Sequence, residues 1–366
     1  MPSAENKTLF RGPPGTCDCQ VHVCGDPQRY PYRAARRSPL PAKIFALGWC
    51  ALAAATLSAP VSHAAEYPGK PIRWIVPWPP GGGVDITTRI LSPALAEALG
   101  GATIIVDNRP GASAMIGTDF AAKAPPDGYT LLTAAAGPNA ILPQLHPKIP
   151  YDTLKDFASI GYIANTVYVL VVHPSLPVRN VQDLIALARS KPGELTIGSS
   201  GTGTPAQLAG KFLESMTGVS LVHVSYKGSA APVLEVMGGQ IIMSIETISP
   251  LLPHIRGGKL KALGVTARKR SSQLAAVPTI AESGLPDYEI VNWYGLLAPS
   301  GIPLAIVERL NKSLNQVLSR PEVRDRLMNA GLEVVGSTPE EFRNFRATDF
   351  ARWGEIVRKA NIKFEP

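Results

Sequence analysis

At Val76-Pro-Trp-Pro-Pro-Gly-Gly-Gly-Val-Asp85 an apolar strand, Ile72 to Pro77, meets Pro77, Pro79 and Pro80 and then a Gly81-Gly82-Gly83 turn. Proline cannot continue a strand ladder and glycine frees the backbone to turn, so the strand ends here. A helix is expected from Asp85 to about Leu99, with Asp85 as its cap and Pro93 as a point of kinking or division. Strand, Gly-rich loop and helix together form the elementary unit of an α/β protein.

The same unit recurs downstream. Leu195-Thr-Ile precedes Gly198-Ser-Ser-Gly-Thr-Gly-Thr204, and Pro205 stands at the first helical position of a segment reaching Met216. Thr103 to Val106, Thr130 to Thr133, Leu221 to Val224, Ile241 to Ile245 and Ala262 to Val265 read as further strands, with a helical stretch at Ala231 to Met237. This alternation predicts α/β layers around a mainly parallel sheet. The C-terminal part reads as helical: Pro303 to Ser319 carries Val307, Leu310, Leu314 and Val317 on one face, Pro321 to Ala330 stops at Gly331, and Thr338-Pro-Glu-Glu341 is a capping box. The 366 residues suffice for two domains of about 130 to 170 residues each.

Hydrophobic residues make up 45% and charged residues 17%, which excludes a coiled coil, a collagen-like repeat and a disordered acidic chain. The net charge of +8 is unevenly placed: residues 1 to 65 hold seven basic against three acidic side chains. No Lys/Arg stripe with interleaved aromatics follows, so nucleic acid is not an expected partner. Cys17, Cys19, Cys24 and Cys50 also lie in that leader, and the rest of the chain has no cysteine. From Arg33 the leader runs basic, then apolar over Ile44 to Ala59, then small around Ser62 to Ala64. That order marks a secretory signal peptide, with cleavage expected after Ala64.

Neither Gly-rich loop contains Lys or Arg, yet a loop opening a helix offers free backbone N–H groups and the positive end of the helix dipole to an anion. Gly201-Thr-Gly-Thr-Pro-Ala206 imitates a dinucleotide fingerprint, but the next strand ends in His223-Val-Ser-Tyr226 without the acidic residue that would hold a ribose. Gly198-Ser-Ser-Gly-Thr202 lacks the final glycine of a nucleophile elbow. His146, His173, His223 and His254 are scattered, and no metal-ligand spacing is present. No cofactor, metal or catalytic constellation is therefore expected, and the chain reads as a binder rather than an enzyme.

The motifs resemble those of the periplasmic solute receptors of tripartite tricarboxylate transporters, the Bug family. The resemblance runs from about Tyr67 to Gly336. It rests on the first loop with Arg89, Asp107-Asn-Arg-Pro-Gly111, Gly117-Thr-Asp119, Pro126-Asp-Gly-Tyr-Thr130, Tyr151-Asp152 with Asp156-Phe157, Gly198 to Pro205, Tyr226-Lys-Gly228 and Pro278-Thr-Ile-Ala-Glu282. It implies a type II periplasmic-binding fold: two α/β lobes joined by two crossover strands, with the ligand cleft between them. After a leader at 1–64, one lobe would take 65–164 plus 290–366 and the other 165–289.

By the same resemblance, Trp78, Pro79, Pro80, Gly81 and Gly82 form a pincer for a small carboxylate, and Ser200, Gly201, Thr202, Gly203 and Thr204 the opposing cradle. Asn139 sits on another cleft-facing loop, while Tyr226 and Glu246 line the wall. The family's Gly-rich run after Pro110-Gly111 is replaced here by Ala112-Ser-Ala-Met115, and Ser225, Gln207 and Glu246 replace a usual Pro, His and Asp. The expected role is that of a monomeric periplasmic receptor delivering a carboxylate to membrane subunits of such a transporter. The alternatives are a periplasmic sensor signalling to a membrane partner and an exported hydrolase.

Overall fold

The computed structural model describes residues 67–146 and 148–359. The leader, its expected cut after Ala64 and all four cysteines lie outside them. The first unit folds as strand β1 (Ile72–Val76), the Gly-rich loop and helix α1 (Gly83–Ala98). The helix begins two residues before Asp85. Its N-cap is Gly82, which has no side chain to signal a start, and the Asp85 carboxylate reaches back from the first turn to accept the Gly81 N–H at 3.0 Å. Pro93 does not divide the helix. It lies on the exposed face, where water can satisfy the carbonyl that it leaves unbonded.

Strand β2 (Ile104–Asn108), helix α2 (Met115–Ala122) and strand β3 (Thr130–Ala135) follow. A π-helical turn (Gly137–Ile141) and the short α3 (Leu142–Leu145) then lead to the 16-residue strand β4 (Phe157–Val172). Next come α4 (Val181–Ser190), β5 (Thr196–Ser199), α5 (Pro205–Thr217), β6 (Val222–Ser225) and α6 (Ala230–Met237). They are followed by β7 (Met243–Thr247), α7 (Ile248–Arg256) and β8 (Lys261–Val265). Strand β9 (Val291–Pro299) precedes α8 (Leu304–Ser319), α9 (Pro321–Asn329), β10 (Leu332–Val334) and α10 (Pro339–Lys359).

The expectation of a mainly parallel sheet is corrected. Pairs β1–β2, β1–β3, β5–β6 and β5–β7 are parallel, but β9 runs antiparallel to both β3 and β4, and β4 is antiparallel to β7, β8 and β10 as well. The strand order is β2-β1-β3-β9-β4-β7-β5-β6. Strand β4 serves two lobes: Phe157 to Val167 pair with β9, while Tyr168 to Val172 pair with β7. This is the type II periplasmic-binding architecture, with β4 leaving the first lobe and β9 returning to it.

The C-terminal helices close the first lobe. Val307, Leu310, Leu314 and Val317 of α8 are buried against a core that includes Leu91, Leu95 and Ile163. The capping box at the start of α10 is formed: the Thr338 N–H donates to Glu341 at 2.8 Å, and the Glu341 N–H donates to the Thr338 hydroxyl. Buried Arg346 fixes α10 onto the start of β4 by donating to Ser159 Oγ and to the Thr153 carbonyl.

Candidate functional site

Four helix N-termini converge on one cavity. Its lining includes Gly82, Gly83 and Val84 at the start of α1, Thr204 and Pro205 at α5, Ser229 at α6 and Thr247 at α7. Trp78, Gly137, Tyr168, Ser200, Asn292 and Tyr294 complete most of the wall, and no Lys or Arg lines it. The positive ends of four helix dipoles thus supply the site's positive potential without a cationic side chain. Of the four N-caps only Thr204 accepts a first-turn amide, that of Gln207; Gly82, Ser229 and Thr247 cap nothing with a side chain. The N-cap side chains of α1, α6 and α7 thus leave the first-turn amides of those helices uncapped.

Buried side-chain polar atoms without a hydrogen-bond partner gather at the same place: Trp78 Nε1 and Thr247 Oγ1 in the wall, and both carboxyl oxygens of Glu246 behind it. A buried polar group without a partner costs about 1–3 kcal/mol, so the cluster is a local cost that the rest of the fold offsets. The cavity measures about 30 Å³. At roughly 10–15 Å³ per water-sized group, that admits the two oxygens of one carboxylate.

A second chamber of about 250 Å³ shares Trp78 and Ser200 with the first and extends toward solvent between Pro79, Ser113, Thr202, Tyr226 and Lys227. The loops that bound these spaces touch one another. A Cβ placed on Gly82 would stand 3.5 Å from Ser229 Oγ, one on Gly201 would stand 2.9 Å from Ser113 Oγ, and one on Gly228 would overlap Pro79 at 2.8 Å. Gly83 is tighter still, with Tyr294 Oη at 2.5 Å from its notional Cβ.

The first loop is held from below by Asp85. Its carboxylate accepts from Arg89 at 2.9 Å, from Asn108 Nδ2 at 2.9 Å and from the Gly81 N–H. Burial pushes the carboxyl pKa up, but these hydrogen bonds outweigh it and bring the group below its ordinary value. Arg89 and Asn108, the latter also bonded to the Trp78 carbonyl, thus brace the loop rather than reach the cavity.

Of the residues named from sequence, Trp78, Gly82, Ser200 and Thr204 line the inner cavity, and Trp78, Pro79, Ser200, Gly201, Thr202 and Tyr226 line the outer chamber. Five line neither. Pro80 and Gly81 are exposed at the tip of the first loop, and Gly203 is buried against Leu142 of α3. Asn139 is turned inward, its amide donating to the Ala135 carbonyl and its oxygen accepting from Thr153. Glu246 lies behind the wall at 0% exposure. Burial pushes its pKa up to about 8, an effect only partly offset by the facing hydroxyls of Ser229 and Ser200 and the amides of Ser200 and Thr247.

Sequence reading missed Gly83, Tyr168, Ser229, Thr247, Asn292 and Tyr294. For Ser229 and Thr247 a signal was present: each is a hydroxyl residue just before a helix with proline in its first turn, at Pro232 and Pro250, as Thr204 precedes Pro205.

Residues 87–362 match the family described as the tripartite tricarboxylate transporter family receptor. BugT of Bordetella pertussis is 36% identical over 315 residues, covering 86% of this chain and 96% of BugT. The adipate-bound protein Rpa4515 of R. palustris superposes with a TM-score of 0.79 at 33% identity, covering 81% of this chain and 99% of that one. The periplasmic binding protein BugD does so with a TM-score of 0.78 at 30% identity, covering 82% of this chain and all of BugD. With an interlobe cavity built from helix N-termini, and with this similarity along most of its length, the chain belongs to the receptor family of tripartite tricarboxylate transporters, periplasmic solute-binding proteins and not enzymes.

Proposed function

We propose that this chain binds a small carboxylate between lobes comprising 65–164 plus 290–366 and 165–289, and delivers it to the membrane subunits of a tripartite tricarboxylate-type transporter. In this reading it works as a monomer in the periplasm after loss of the leader at Ala64. The observation that carries the ligand class is the convergence of four helix N-termini and unsatisfied polar atoms on a cavity without a basic side chain. Micromolar binding needs about 8 kcal/mol, and charge-assisted hydrogen bonds contribute roughly 1.5–3 kcal/mol each, so a handful of amide and hydroxyl donors is enough.

One carboxylate occupies the inner cavity between Gly82, Gly83, Ser200 and Ser229, and amides that open the surrounding helices are its donors. The remainder of the ligand passes Trp78 and Ser200 into the outer chamber, where Lys227 stands ready for a second negative group. Adipate bound to Rpa4515 fits a ligand of this shape. Binding joins loops from both lobes, so ligand entry and lobe closure are one event.

A thermal-shift screen of the purified protein against mono-, di- and tricarboxylates, amino acids and aromatic acids tests the class, and Trp78 fluorescence reports closure. A Cβ at Gly82 has room beside Ser229, and Gly82→Asp adds beyond it a carboxylate at the edge of the inner cavity. It is expected to weaken carboxylate binding by several kcal/mol in calorimetry, because like charges in a water-poor cleft repel strongly. Unchanged affinity would show that the first loop is merely a turn.

A further inference from the structure

Glu246 on β7 immediately precedes Thr247 of the inner cavity's wall, yet Glu246 itself is fully buried and does not meet an occupant of that cavity. Neither of its carboxyl oxygens completes a hydrogen bond. The hydroxyls of Ser200, in the loop before α5, and of Ser229, at the start of α6, face the carboxyl, and both serines also line the cavity. Ser229 Oγ lies 3.5 Å from where a Cβ on Gly82 would stand, so this hydroxyl is turned toward the first loop as well. Two serines thus connect a buried acid to the space for the ligand carboxylate. Tyr168 on β4 and Tyr294 on β9 also face Glu246, and burial keeps both phenols protonated.

A hydroxyl has one proton, and the state of Glu246 decides where it points. An ionised Glu246 only accepts, so the serines donate to it and turn lone pairs toward the cavity. A protonated Glu246 donates its own O–H to a serine oxygen, and the proton of that serine is released toward the ligand. Ionisation would also set two carboxylates on either side of one layer of serines, beside a cavity that no Lys or Arg lines. We propose that Glu246 is a positioning residue in its acid form, which makes the Ser200 and Ser229 pair a donor to the ligand carboxylate, so that ligand and proton are held together. This rests on the carboxylate reading above and adds a proton to it. Burial keeps the acid form in place up to about pH 8; above that, the proton has to come from solvent as the ligand binds.

Adipate is the first probe, titrated calorimetrically into the purified protein from about pH 6.5 to about pH 9.5, where it stays a dianion; the strongest amine-free responder of the carboxylate screen replaces it if adipate does not bind. The wild-type Kd should hold level to about pH 8 and then weaken toward tenfold per pH unit, as a binding-linked proton requires. Near pH 9, titrations in buffers of unlike ionisation enthalpy should show close to one proton taken up per ligand bound, a readout on the wild type alone. Glu246→Gln has no proton to lose and offers an N–H to the serines at every pH, so the steep fall should be absent from it. Lys227 is common to both proteins, and a fall owed to it would persist in the variant. A level wild-type Kd across the range, an equal fall in Glu246→Gln, or no proton uptake near pH 9 would each overturn the proposal and leave the carboxylate reading intact. A protein that binds no carboxylate of the screen at pH 6.5 would overturn that reading, and the proposal with it.

Discussion

Glu246 is a carboxyl group enclosed by protein, and its energetics set a pH dependence that one substitution isolates. Its pKa is pushed up to about 8, whereas in the unfolded chain it sits near 4.5. Between those values the unfolded chain releases the proton and the folded one keeps it. Its contribution to stability is therefore intact below about pH 4.5, falls as pH rises toward 8, and is fully lost above that. Tyr168 and Tyr294 face the same group and stay protonated throughout, their own pKa values raised first by burial. Glu246→Gln cannot ionise. Its denaturant midpoint relative to the wild type should change by a constant offset below pH 4.5 and gain steadily up to pH 8, and parallel curves across that range would refute the assignment. At the outer chamber, Lys227→Ala should weaken dicarboxylates several-fold and leave monocarboxylates unchanged, as competitive titration with ligands of matched length would show.

The loop between β2 and α2 stores strain that its replacement by glycine would release. Ala112, Ser113 and Ala114 have φ of 45°, 54° and 77°, a left-handed run that costs L-residues roughly 1–2 kcal/mol each. The run holds Ser113 Oγ against Gly201 at the mouth of the outer chamber. Ala112→Gly removes a Cβ without touching that contact, and should stabilise by about 0.5–1 kcal/mol in chemical unfolding, its entropic cost in the unfolded chain included. Elements of this size were legible where a residue type announces them. Thr204-Pro205, Pro321 with Gly331, and Thr338 with Glu341 mark helix ends through chemistry that is local in sequence. Strand β4 was not announced: register shifts between Ser159 and Gly161 and between Tyr162 and Ala164 break the alternation, and polar Asn165-Thr166 interrupts the apolar run. The start of α1 was hidden because Gly82 and Gly83 have no side chain to read. The meeting of four helix N-termini belongs to no segment at all, so the motifs gave the two loops, Ser229 and Thr247 carried only a local sign of a helix start, and Asn292 emerged only from tertiary structure.

At the scale of the molecule, the chain leaves the first lobe along β4 and re-enters it along β9, and β9 is inserted between β3 and β4. A polypeptide appears from its N-terminus onward. Until Val291–Pro299 has emerged, β3 has β1 on one side and an open edge on the other, with Leu131, Leu132 and Ala134 waiting to be covered. That edge is a template for pairing with any other unfinished chain. A version ended at residue 289 should accordingly precipitate or remain bound to holding chaperones, and adding residues 290–366 as a separate polypeptide during refolding should recover soluble material; a soluble, monomeric 1–289 fragment would contradict this. The insertion that gives the receptor its cleft thus also gives it a long adolescence, in which the second lobe can be complete before the first is.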